Sequence, residues 1–248
     1  MYQLKILRGV GKEKSHWETF ESPLSGEDSV ARALEELDER PALKNAAGQP
    51  AKPVLWDCAC LEKKCGACAM VIGGLPRLAC ATPLSEAADR RGVVTLAPLT
   101  KFPRIEDLRV DRDAMFARLE AMHLWLENDA ALSEQEQREL HYQAASCLMC
   151  GLCLEACPNF DSKHAFAGAA AAAAAFGVLE ETNDGAHREE VRRAYRRSVY
   201  EGCSKTLACQ TVCPAKLPIE KLMVQTNAAA IWKRRSKNKQ KKERNNAE

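Results

Sequence analysis

Two hydrophobic periods divide this chain. In the first hundred residues the pattern is that of strands. Gln3–Arg8, Trp17–Ser22, Val54–Trp56, Ala69–Ile72 and Val93–Ala97 are short runs that alternate or are rich in β-branched residues. Gly73-Gly74, between "CAMVI" and "LPRLAC", predicts a hairpin turn. Between Asp28 and Arg40 the period changes: Val30, Ala33, Leu34 and Leu37 recur at i, i+3, i+4 and i+7, an amphipathic helix stopped by Pro41. From Asp113 onward the period is helical. Helices are expected over Asp113–Asn128, over Ser133–Ala145 with Ser133 and Glu136 as a capping box, over the alanine-rich 165–180 and over Glu189–Tyr200. Seven consecutive alanines, the best helix formers, predict a helix packed closely against a neighbour. The segment "PLTKFPRIEDLRVDR", which starts at Pro98, is punctuated by prolines. The organisation expected is α+β: a β-rich domain over 1–100, a linker over 101–112, an all-α domain over 113–232 and a tail over 233–248.

A chain of 248 residues has room for two domains of the usual size, roughly 100–150 residues each. A hydrophobic fraction of 46% and a charged fraction of 28% are ordinary for a globular protein. The net charge of +2 hides an uneven distribution. From Lys233 onward there are eight Lys/Arg and two Glu, whereas the remainder carries 28 basic and 32 acidic residues. The tail is therefore basic and the body slightly acidic. It reads as a solvated end or, more sharply, as a contact for anionic lipid headgroups, to which each Lys/Arg near the surface contributes about 1 kcal/mol. The opening "MYQLKILRGV" alternates like a strand, so no export signal is expected. The longest uncharged run, Ala165–Leu179, has fifteen residues and falls short of the about 20 that span a bilayer. A cytoplasmic, soluble chain is expected, and there twelve cysteines imply metal rather than disulfides.

Their spacing selects the metal. Cys60-x4-Cys65-x2-Cys68, with Cys80 after a further eleven residues, is the plant-type [2Fe–2S] arrangement, in which a tight loop supplies three thiolates and an adjacent strand the fourth. Gly66 lets the backbone approach the sulfides. Zinc ribbons present two separated Cys-x2-Cys pairs, which this loop lacks. Cys58, two residues before Cys60, is expected to be a small buried side chain. Farther on, Cys147-x2-Cys150-x2-Cys153-x3-Cys157-Pro158 is the bacterial ferredoxin run. A second copy, Cys203-x2-Thr206-x2-Cys209-x3-Cys213-Pro214, has Thr206 in place of one cysteine. In two-cluster ferredoxins the last cysteine of each run ligates the other cluster, because the following proline turns it away from its own loop. That rule assigns Cys147, Cys150, Cys153 and Cys213 to a [4Fe–4S] centre. It leaves Cys157, Cys203 and Cys209 for a centre lacking its fourth iron, a [3Fe–4S] cluster. No Gly-rich dinucleotide motif follows a strand, and the five histidines are scattered, so no substrate site is expected in the chain. Three centres without a substrate site make a path for electrons.

A plant-type loop followed by these two runs resembles the iron–sulfur subunit of succinate dehydrogenase/fumarate reductase, from about Tyr2 to Met223. The resemblance implies an N-terminal β-grasp [2Fe–2S] ferredoxin domain and a C-terminal all-α, bacterial-ferredoxin-like domain with two clusters. It implies a flavoprotein subunit with covalent FAD that interconverts succinate and fumarate, and a membrane-anchor cytochrome b subunit with haem b and quinone. The chain would then lie peripherally on the cytoplasmic face of the inner membrane. "VLWDCACLEKKCGACAMVIGG" and "CLEACPNFDSK" resemble the branch with a di-haem anchor and menaquinone. Where enterobacterial and mitochondrial relatives have two tryptophans and a histidine at the ubiquinone pocket, this chain has Asp161, Ser162 and Ser204. That pocket is not carried over, and a direct route to an anchor haem is expected. Two other readings stay open: the same adaptor in a related flavin-linked fumarate reductase or dehydrogenase, and a zinc-stabilised nucleic-acid binder with a basic tail.

Overall fold

The computed structural model describes residues 1–126, 135–161, 163–182 and 184–232. The chain forms two compact units: Met1–Arg112 with Leu148–Ala156, and Asp113–Cys147 with the residues from Cys157 onward.

The first unit is built on a mixed five-stranded sheet. Strand β1 (Tyr2–Arg8) pairs antiparallel with β2 (His16–Ser22) on one side and parallel with β5 (Val93–Ala97) on the other. Beyond β5 lie β3 (Ala69–Ile72) and β4 (Leu75–Leu78), so the order is β2-β1-β5-β3-β4. The alternation in β1 places Leu4 and Ile6 on a fully buried face with Phe20, Val94 and Leu96. Each such side chain contributes roughly 1.5–3 kcal/mol by leaving water. Helix α1 (Val30–Asp38) covers that core with Val30, Ala33, Leu34 and Leu37, the stripe read from the sequence. It begins at Val30, two residues later than expected, because Ser29 caps it, accepting from the Arg32 N–H at 3.1 Å. Asp28 instead accepts from Ser25 in the preceding turn. The expected hairpin is present: Gly73 and Gly74 have φ of 58° and 80°, the two left-handed residues that a type I′ turn requires. A short helix, α2 (Leu84–Ala87), adds Leu84 to the core.

The strand expected at Val54–Trp56 does not form. Residues 101–112, read from the sequence as a linker, contain the strands β6 (Arg104–Glu106) and β7 (Arg109–Val110) with Asp107 at their turn. Asp107 explains both observations. Its carboxylate accepts from the Leu55 N–H and the Gly9 N–H at 3.1 Å each and pairs with Arg8 Nε at 3.0 Å. The 53–57 segment is thus held at Leu55, whose N–H donates to Asp107 and whose carbonyl accepts from the Leu108 N–H at 3.0 Å, and it pairs in no strand ladder. Arg8 ends the buried face of β1, and its guanidinium also reaches Glu18 at 3.2 Å and the Pro53 carbonyl at 2.9 Å.

The second unit is helical: α3 (Asp113–Ala121), α4 (Gln135–Ala145), α6 (Gly168–Glu181), α7 (Gly185–Tyr195), α8 (Ala208–Thr211) and α9 (Ile219–Asn227); α5 (Leu152–Ala156) belongs to the first unit. The alanine helix α6 is the centre, buried along almost its whole length and flanked by α4, α7 and α9. A helix apolar all round is one surrounded by protein. Small side chains let the neighbours come close, and the Thr226 hydroxyl of α9 lies 3.5 Å from the Ala172 carbonyl. Several expected boundaries move, among them the start of α6, at Gly168 rather than residue 165. Helix α3 stops at Ala121, where His123 turns left-handed (φ 56°). Helix α7 begins at Gly185 rather than Glu189, because Asp184 accepts from the N–H groups of Ala186 and His187. Helix α4 is described from Gln135; Ser133 of the expected capping box lies outside the described residues, as does the basic tail.

Asp107→Ala is expected to destabilise the first unit by about 3–5 kcal/mol, the cost of leaving a buried partner charge uncompensated. Chemical denaturation followed by tryptophan fluorescence measures it; a loss below 1 kcal/mol would show that water takes over the role of Asp107.

Candidate metal centres

In the first unit the chain between α1 and β3 carries Cys60, Cys65 and Cys68, and Cys80 lies on a single 3-10 turn after β4 rather than on a strand. The four sulfurs fall into two pairs. Cys68 Sγ and Cys80 Sγ are 3.3 Å apart, and Cys60 lies against the Cys65 thiol. Among the described residues, no three His, Cys, Asp or Glu side chains are grouped to hold one metal ion. Two pairs of thiols suit a two-iron centre, in which each iron takes two protein ligands.

The backbone prepares these sulfurs for negative charge. The N–H groups of Glu62 and Lys64 donate to Cys60 Sγ, and that of Lys63 to Cys80 Sγ, each at 3.3 Å. Ala67 N–H donates to Cys65 Sγ and Cys80 N–H to Cys68 Sγ, each at 3.5 Å. Leu61 and Lys63 are left-handed, with φ of 55° and 64°, a conformation costly for residues with a side chain. Donation from the Glu62 and Lys64 N–H groups, helped by Cys65, pulls the Cys60 thiol down to about 7. Burial pushes Cys68 up to about 12. A buried thiol of that kind becomes a thiolate when iron supplies the positive charge that the site lacks.

In the second unit Cys157, Cys203 and Cys209 line one hollow, and Thr206 lines it with them. Phe166 and Met223 form apolar parts of its wall. Burial, reinforced by the Cys157 and Cys203 thiols, pushes the Cys209 thiol up, so this trio also fits a cationic core. Lys205 and Leu207 repeat the left-handed turns of the first loop, with φ of 59° and 57°, and Lys205 N–H donates to Cys203 Sγ at 3.4 Å. Ser204 Oγ donates to Asn159 Oδ1 at 3.0 Å, and the Asn159 amide donates to the Gly202 carbonyl. These bonds join Asn159, just after the first cassette, to the start of the second. Cys213 accepts from the Leu217 N–H at 3.4 Å and, like Cys147, belongs to the second unit. Cys150, which is buried, and Cys153 belong to the first.

Comparison with known proteins agrees with this geometry. Residues 3–117 match the family described as a 2Fe-2S iron-sulfur cluster binding domain, and residues 143–217 match the 4Fe-4S dicluster domain. The chain is 39% identical over 160 residues to the succinate dehydrogenase iron-sulfur subunit of Bacillus subtilis, covering 62% of this chain and 61% of that one. It is 32% identical over 179 residues to the fumarate reductase iron-sulfur subunit of Wolinella succinogenes, covering 66% of this chain and 72% of the relative. It belongs to the succinate dehydrogenase/fumarate reductase iron–sulfur subunit family. A chain of the Mycobacterium smegmatis Sdh1 complex in the apo form shares its fold, with a TM-score of 0.72 at 22% identity over 92% of this chain and 95% of that one.

As a member of that family, with 2Fe-2S and 4Fe-4S domain matches, the chain is an iron–sulfur subunit, and the zinc-binding alternative falls away. One expectation fails at the site. Cys58 is exposed, not buried, because residues 57–60 run across the surface, and the carboxylates of Glu35 and Asp38 lie near its thiol. The left-handed residues around the cysteines were not legible. Leucine and lysine carry no turn signal, and their conformation is imposed by the sulfurs that their loops enclose.

The two extreme thiols make a pH prediction. Only a thiolate alkylates, so in the iron-free folded chain Cys60 ionises as pH rises through about 7, whereas Cys68 stays protonated until about 12. Iodoacetamide labelling at neutral pH, read by peptide mass spectrometry, should modify Cys60 first and Cys68 last. Equal rates would contradict the assigned hydrogen bonds.

Proposed function

We propose that this chain relays electrons within a membrane-bound succinate:quinone oxidoreductase, between the FAD of a flavoprotein subunit and the haem and quinone of a cytochrome b anchor. The observation that carries this reading is the hollow lined by Cys157, Cys203, Cys209 and Thr206. Three thiolates and a hydroxyl suit a [3Fe–4S] centre. Such a centre lacks the fourth iron's charge and has a high potential, which fits the end of a path facing quinone or haem. Cys60, Cys65, Cys68 and Cys80 are assigned to a [2Fe–2S] centre, and Cys147, Cys150, Cys153 and Cys213 to a [4Fe–4S] centre by the exchange rule for paired ferredoxin runs. When bound, these groups supply one-electron carriers.

The chain's own residues hold and tune them. N–H donation from Glu62, Lys63 and Lys64 spreads the thiolate charge and favours the reduced state of the first centre. Phe166 and Met223 limit water at the last. The Asp161 and Ser204 substitutions, with the "CLEACPNFDSK" segment, support a di-haem anchor and menaquinone as acceptor. Among the described residues, no helix is long and apolar enough to cross a membrane. In this reading the chain lies peripherally against its anchor on the cytoplasmic face, with the basic tail offered to anionic lipid.

Thr206→Cys tests the decisive residue. In the purified complex it should raise iron content, remove the [3Fe–4S] EPR signal of the oxidised protein and lower that centre's potential. An unchanged oxidised signal would refute the three-thiolate assignment, and a colourless complex would refute the whole reading.

A further inference from the structure

Gly66 stands between Cys65 and Cys68 in the left-handed region, with φ of 77°. It is also a point where nothing larger fits. A Cβ there would lie 2.6 Å from Cys150 Cβ, 3.0 Å from Cys150 Cα and 3.0 Å from the Leu148 carbonyl oxygen. The missing side chain is therefore filled by the backbone of another cassette, Leu148–Ala156, which lies in the same compact unit as the loop. Cys150 is only 8% exposed, so the contact leaves no room for a water layer.

The same segment is fastened at its other end. Glu155 on α5 accepts from the Thr100 N–H at 3.0 Å, the Thr100 hydroxyl at 2.6 Å and the Lys101 N–H at 3.1 Å. Between the two fastenings, Gly151 leaves space for the Phe102 ring, which a Cβ would meet at 3.1 Å. On the loop side, Arg112 donates to the Ala67 carbonyl at 2.9 Å, holding the backbone next to Gly66. A gap filled by contact, a clamped helix and a braced loop fix one separation.

We propose that Gly66 and Glu155 are positioning residues that set how closely Cys150 approaches the Cys65–Cys68 loop, and so set the rate at which an electron crosses there. The proposal rests on the ligand assignment above. The electron leaves the centre held by the loop, oxidising it by one electron, and enters the centre held by Cys150, reducing it by one; no proton or bond change accompanies the step. Electron tunnelling decays exponentially with distance. In close-packed protein, a methyl group inserted at Gly66 must push the two backbones apart, since neither neighbour is the end of a flexible side chain. Nothing in the cysteine spacing reveals this role, since a glycine in a ligand loop is explained by its turn alone.

The test uses the assembled complex carrying Gly66→Ala or Glu155→Gln. Iron content and the EPR g-values of each centre report whether both are present. Two further readouts report their separation: dipolar broadening between the two reduced centres, and the rate of electron transfer between them after rapid reduction of the first. Gly66→Ala should keep both signals, weaken the broadening and slow the transfer several-fold, and Glu155→Gln should do the same to a smaller degree. If Gly66→Ala loses its first centre, Glu155→Gln decides alone, because it lies outside the loop. Unchanged broadening and rate with both centres present would overturn the proposal. Missing signals in the unmodified complex would instead overturn the ligand assignment.

Discussion

Hydrogen bonds from backbone N–H groups to cysteine sulfur are the constraint to which much of this structure answers. A thiolate held away from water needs donors as well as iron, and the nearest donors are the amides of the residues that follow it. Turning those amides inward demands left-handed backbone. Of the eight non-glycine residues with positive φ among the described residues, six lie in the cysteine loops: Leu61, Lys63, Met149, Lys205, Leu207 and Lys216. Each costs about 1–2 kcal/mol relative to ordinary backbone. Strain of that size persists only when the surroundings over-determine it. The sheet of one unit and the helices of the other provide that surrounding order.

The two units supply it differently. In the first, the sheet buries an apolar face and ends in an ion-paired Arg8, so that the hairpin around Asp107, the segment before the cysteine loop and β1 meet at one carboxylate. A buried ion pair gains little net stability over apolar packing, but its geometry is specific. It fixes where residues 53–57 enter the cysteine loop. In the second, positions are set by close backbone approach: α6 has almost no side-chain bulk for half its length, and the helices carrying Tyr195 and Thr226 lie against it. The hollow lined by Cys157, Cys203 and Cys209 includes Gly168 and Ala169, the start of that same helix.

Much of this was legible in the sequence because it is periodic or spaced. The strands flanking the cysteine loop, the Gly73-Gly74 hairpin and the α1 stripe are local patterns, and the cysteine motifs are fixed intervals. What escaped depends on distant partners. Val54–Trp56 has strand composition, yet the amide of its central residue, Leu55, donates to a side chain some fifty residues away. The start of α7 turned on Asp184, a cap preceding the apolar pattern by several residues. Cys58 has the composition of a buried site, and its exposure follows from the path of a loop rather than from its neighbours in sequence. That Leu148–Ala156 packs with the first unit is likewise a matter of tertiary contact, invisible to any window along the chain.

The uniformity of α6 has a consequence for folding. Seven identical residues offer nearly the same surface after a slide of one position, so the run cannot by itself specify which alanine faces which partner. The register must be read from its downstream end. Phe176 packs against His141 with ring centroids 4.6 Å apart and the planes tilted by 41°, and Glu181 meets His141 Nδ1 at 2.8 Å. A single imidazole on α4 thus serves as the vernier mark for the alanine ruler, selecting one alignment among several that are nearly degenerate.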